Sequence, residues 1–75
     1  MTDINKLKAA IVRNGMTAYS LAEAIGISKQ SLSYKMNNKR DFRAPEIDSI
    51  VKVLNLTPDE IADIFFTQRV DNSST

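Results

Sequence analysis

Residues 17–38 read TAYSLAEAIGISKQSLSYKMNN, and this stretch decides the fold. Thr17 has a side-chain oxygen suited to capping a helix start, and Leu21, Ala22 and Ile25 then recur on one helical face. Gly26 stops that helix, because glycine enters the left-handed region without steric cost. Ile27 fills the corner, Ser28 caps a second helix, and Leu32 with Met36 forms its buried side. Ala22 is small where the two helices must cross closely. The layout predicts a helix-turn-helix, with helices over residues 18–24 and 29–37.

The second helix of the pair presents a polar face. At 100° per residue, Gln30, Ser33, Tyr34 and Asn37 fall within an arc of roughly 100°, opposite Leu32 and Met36. A short amphipathic helix of this kind fits the DNA major groove, where each base pair presents its own donor and acceptor pattern. Gln30 suits a bidentate contact with an adenine edge, and Lys29 reaches a guanine or a phosphate. Ser33 is adaptable. Tyr34 offers its ring to a thymine methyl or its hydroxyl to a phosphate. Asn37 has two readings, base contact or satisfaction of backbone groups at the helix end.

Charge is distributed in the same sense. The chain of 75 residues has a net charge of only +1, yet residues 29–43 hold Lys29, Lys35, Lys39, Arg40 and Arg43 against Asp41 alone. Residues 44–75 are acidic, with Glu46, Asp48, Asp59, Glu60, Asp63 and Asp71 against Lys52 and Arg69. Such polarity suits a polyanion on one side of the molecule. A solvated charge run is the alternative. Lys35, Lys39, Arg40 and Arg43 suit phosphate contact, which supplies affinity without sequence information. Thr17 and Tyr19, at the start of the first helix of the pair, are further phosphate candidates, although Tyr19 equally suits covering the core edge. Phe42 is the apolar exception in the loop and should anchor it to the core.

The flanking segments supply the body. Thr2 or Asp3 caps a first helix ending near Asn14 and Gly15, with Ile4, Leu7 and Ile11 on its inner face. Ile47, Ile50, Val51 and Leu54 form a core stripe on a fourth helix begun by Pro45. Thr57-Pro58-Asp59-Glu60 is a capping box that opens a fifth helix to Phe65 or Phe66. That helix bears more apolar side chains than so small a body should bury. Ile64, Phe65 and Phe66 are therefore candidates for a partner surface, with Ile64 or Phe66 as ordinary exposed apolar residues the alternative. Residues 67–75 (TQRVDNSST) are polar and aperiodic and predict a disordered tail after a single domain over 1–66.

The segment LAEAIGISKQSLS (21–33) is similar to the core of the Cro/CI-type phage repressors, the XRE-like helix-turn-helix family, through Leu21-Ala22, Ile25-Gly26-Ile27-Ser28 and Ser31-Leu32. The similarity continues through NNKRDF (37–42) and EIDSIVKVLNLTPDEI (46–61). Three positions depart from the family pattern. Ala18 stands where many relatives have a phosphate-gripping glutamine, Asn38 where glycine is usual, and Arg43 where Ser or Thr caps the fourth helix. The resemblance implies an all-α, five-helix, lambda-repressor-like DNA-binding domain. It implies a transcriptional regulator, Cro-like or a short phage repressor, that acts as a homodimer on a palindromic double-stranded DNA operator, with Ile64, Phe65 and Phe66 at the dimer interface. A second expectation, from a different class, is an anti-repressor that uses the same scaffold to bind another repressor protein.

Composition excludes much else. There are no histidines and no cysteines. The commonest nucleophiles, bases and transition-metal ligands are therefore missing, and neither an enzyme nor a cofactor is expected. No apolar run approaches a membrane span and no signal-peptide pattern opens the chain, so a cytoplasmic protein is the expectation.

Overall fold

The computed structural model describes residues 2–66. The tail expected over residues 67–75 lies outside the described residues. Among the described residues five helices form an all-α domain: α1 (Ile4–Arg13), α2 (Ala18–Ile25), α3 (Lys29–Met36), α4 (Ala44–Leu54) and α5 (Pro58–Phe65). Every boundary falls within two residues of its sequence expectation. Helix α2 is central and packs on α1, α3 and α4, while α5 closes the far side of α1.

The start signals act as the residue types require. Asp3 accepts from the Lys6 N–H at 3.1 Å and opens α1. Thr17 and Ser20 cap each other reciprocally at the start of α2. Ser28 accepts from the Ser31 N–H at 3.0 Å and opens α3. At α4 the departure noted at Arg43 has a consequence: Arg43 makes no side-chain cap, and the Glu46 carboxylate instead accepts from the Arg43 N–H at 2.8 Å. Glu60 does the same for Thr57 at 2.9 Å.

The α2–α3 corner is set by backbone geometry. Gly26 has φ +79, and a Cβ there would meet nothing within 4 Å, so the position demands glycine for conformation rather than for space. The Gly26 and Ile27 N–H groups both donate to the Ala22 carbonyl, at 3.0 and 3.1 Å. Asn38, at φ 56, takes the left-handed conformation that glycine would otherwise supply, as does Asn55 at φ 53.

Leu7, Leu21, Leu32, Ile50 and Leu54 are the fully buried centre, one or two from each of α1 to α4. Phe42 reaches back from the loop and meets Phe65 of α5 edge-to-face, with ring centroids 5.8 Å apart. The Asn14 amide donates to the Leu54 carbonyl at 3.2 Å and ties the ends of α1 and α4 together. The Asp3 N–H donates to the Ile64 carbonyl at 2.6 Å, joining the start of α1 to α5. Arg13 and Glu60 reinforce that contact with an ion pair at 2.6 Å.

Helix α5 corrects the dimer expectation in part. Ile64 and Phe65 are buried within the chain, so they are withdrawn as interface residues. Their spacing from the half-buried Ile61 is i, i+3, i+4, a single stripe that α1 and the Phe42 loop cover. Only Phe66 of the three faces solvent, at 61% exposure. Among the described residues no helix is long and apolar enough to cross a membrane.

Candidate nucleic-acid interface

Helix α3 leaves one face uncommitted. Leu32 and Met36 anchor it to the core, and Lys29, Gln30, Ser33 and Tyr34 are exposed on the other side. Ser28 fixes where the helix begins, so Lys29 and Gln30 stand as its first two residues. Lys29 extends across the α2–α3 corner, with its ammonium 5.3 Å from the centroid of the Tyr19 ring. Tyr19 is itself 54% exposed, so the sequence alternative in which it covers the core edge does not hold.

Asn37 follows the second of its two readings. Its amide donates to the Ser33 carbonyl at 2.8 Å, satisfying backbone at the end of α3 while the residue stays exposed. Thr17 also has prior commitments. Its hydroxyl oxygen accepts from the Ser20 N–H at 3.1 Å and its proton is directed at Ser20 Oγ at 3.3 Å, so a phosphate would take that proton from Ser20 and leave the cap in place.

The loop after α3 holds Lys39, Arg40 and Arg43, all exposed. Its first turn is fixed to α3, since the Lys39 N–H donates to the Tyr34 carbonyl at 3.0 Å. Phe42 pins its far end in the core. Three cations are thus displayed from a loop held at both ends.

Lys35 is a correction. Expected among the phosphate contacts, it is only 5% exposed, and its ammonium is paired with Glu46 of α4. Burial pushes the Glu46 carboxyl up, but the bond from the Arg43 N–H and the Lys35 ammonium outweigh that and hold it below its ordinary 4.5. Lys35 therefore locks α3 to the start of α4 and leaves the outward charge to its neighbours. In the sequence, Glu46 is marked only by its place three residues after Arg43, where a capping carboxylate belongs.

Beside this face lies an apolar cleft of about 330 Å³, lined by Ile11, Val12, Met16, Ala18 and Met36 with Lys8 at its edge. Val12 is 73% exposed there. Ala18, at the first position of α2, is part of its lining.

These features define a small five-helix all-α domain built on a helix-turn-helix, with an exposed polar helix and a basic loop on one side. The chain belongs to the family described as "Protein of unknown function (DUF739)", whose profile matches residues 1–68. No curated protein matches the chain.

Proposed function

We propose that this chain is a sequence-specific DNA-binding transcriptional regulator of the Cro or short-repressor type, confined to the cytoplasm and without catalytic activity. One observation supports the reading above the others. The exposed residues of α3 make few internal commitments, and a doubly anchored loop of three cations follows directly. In this reading Gln30, Lys29, Ser33 and Tyr34 read base edges, while Lys39, Arg40 and Arg43 hold phosphates. Two copies would place their α3 helices in successive major grooves about 34 Å apart on a palindromic operator. In this reading control is steric, by occupancy of the operator.

The test is a mobility-shift titration on DNA flanking the protein's own gene, at two salt concentrations. Gln30→Ala should weaken the cognate site by roughly 1–3 kcal/mol and leave non-specific binding nearly unchanged. Replacing Lys39 and Arg40 with Ala should weaken all sequences alike and flatten the salt dependence by about one unit per lost phosphate contact. Equal, weak binding to every duplex by wild type and both variants would remove the proposal.

The cleft at Val12 favours a second reading, an anti-repressor that receives an apolar helix of another repressor protein. Under that reading Gln30→Ala leaves DNA behaviour unchanged, and Val12→Asp abolishes binding of the partner repressor.

A further inference from the structure

We propose that Tyr19 and Lys29 act as one guanine-reading unit, so that the operator half-site holds a guanine directly beside the adenine read by Gln30. The inference rests on the DNA reading above and deepens it.

A lysine at the start of a recognition helix is ambiguous by chemistry. Its ammonium is a compact charge on a four-carbon stem, and it pairs with a phosphate as readily as with the O6 and N7 acceptors of guanine. What bears on the choice here is the aromatic ring one helix earlier in the chain. The Lys29 ammonium lies 5.3 Å from the Tyr19 ring centroid, inside the range of cation–π attraction. The ring therefore restrains a side chain that would otherwise sweep between the rim of the groove and its floor.

Position then selects the target. Lys29 is the first residue of α3, and helices of this type meet base edges with their N-terminal residues. Gln30 is the next residue, about 1.5 Å along the axis and 100° around it, and in this scheme the two side chains take neighbouring base pairs. A glutamine pairs with adenine and a lysine with guanine. Tyr19 is a positioning residue in this scheme. It acts through its ring, and its hydroxyl is dispensable.

The experiment separates ring from hydroxyl. Full-length wild type, Tyr19→Phe and Tyr19→Leu are each used to select binders from a pool of randomised duplexes. The free proteins are compared by the NMR shifts of the Lys29 ε-methylene protons. Wild type should enrich a guanine next to an adenine, and its ε-methylene protons should be displaced upfield by the ring. Tyr19→Phe should keep both properties. Tyr19→Leu should lose the upfield displacement and about two- to fivefold of the guanine preference, the range expected of one exposed cation–π contact, with the adenine preference intact.

Equal loss in Tyr19→Phe and Tyr19→Leu, spread over all sequences, would make Tyr19 a phosphate ligand and overturn the proposal. So would an unchanged guanine preference in Tyr19→Leu, or undisplaced ε-methylene protons in wild type. A selected site without the guanine overturns the unit and leaves the DNA reading standing. Selection of no sequence by wild type removes the DNA reading, and the unit with it.

Discussion

Helices α3 and α5 are the same length, eight residues each, and they use their side chains in opposite ways. In α5 the bulky apolar groups at 61, 64 and 65 are absorbed by the chain's own core. In α3 two apolar residues and a paired lysine suffice to hold the helix, which frees a whole face. A helix of two turns against a small body has one side that must fold the protein and one that need not. Function can only be placed on the second. The difference is testable by asking what each helix loses when a side chain is removed.

The largest effect on folding belongs to α5. Phe65→Ala deletes a ring that is 4% exposed and in edge contact with Phe42. It should cost about 3–5 kcal/mol, most of the stability of a domain this size. Ser33→Ala on α3 should change stability by less than about 0.5 kcal/mol. Urea unfolding followed by circular dichroism measures both. A comparable loss in the two variants would abolish the distinction between the helices.

Lys35 tests the boundary between the two roles, since it is a charged residue of α3 that serves the fold. Lys35→Met leaves Glu46 without its cation and should cost about 3 kcal/mol. The cost should depend on pH with a definite sign. The Glu46 carboxyl is held below its ordinary 4.5 in the folded chain, so the unfolded chain takes up the proton first as pH falls. Its contribution is complete above about pH 4.5 and is lost as pH drops through the lower folded value. Wild type should therefore lose stability faster than Glu46→Gln on acidification from pH 6 to 3. Parallel curves would mean that the pair contributes nothing to the fold.

Lys35 also shows where the sequence could be read and where it could not. The helix-turn-helix was legible because each of its steps rests on a local rule: Thr17 and Ser28 as caps, Gly26 as the left-handed stop, Ala22 at the crossing. The role of Asn38 was legible for the same reason, and its φ of 56 bears that out. The charge of Lys35 points to a phosphate and its angle to the core, and the structure follows the angle. Lys35 lies about 60° from Leu32 around the helix and so belongs to the buried side. Its partner Glu46 is eleven residues away across a loop, and no periodicity connects them. The apolar surplus on α5 points to a partner surface, but Ile64 and Phe65 complete a single stripe with Ile61 that the core has room to bury. The Tyr19–Lys29 contact spans two helices and needed the crossing geometry to be seen.

The smallest effect on folding should come from Phe66, the one member of the expected interface that the core does not consume. It follows the last residue of α5 and is 61% exposed. Phe66→Asp should change the stability of the isolated domain by less than about 0.5 kcal/mol, because no buried contact is lost. If the chain pairs through this end, the consequence appears in assembly. A two-fold interface uses each residue twice, and burying a phenylalanine contributes roughly 1.5–3 kcal/mol per side. An aspartate at the same place would bring two charges together in the space of two rings. Sedimentation velocity should then show wild type as a dimer at high concentration or on operator DNA, and Phe66→Asp as a monomer with an unchanged helical spectrum. A wild type that stays monomeric under both conditions would leave Phe66 an ordinary exposed side chain. Helix α5 would then be wholly a folding element, and α3 alone would face a partner.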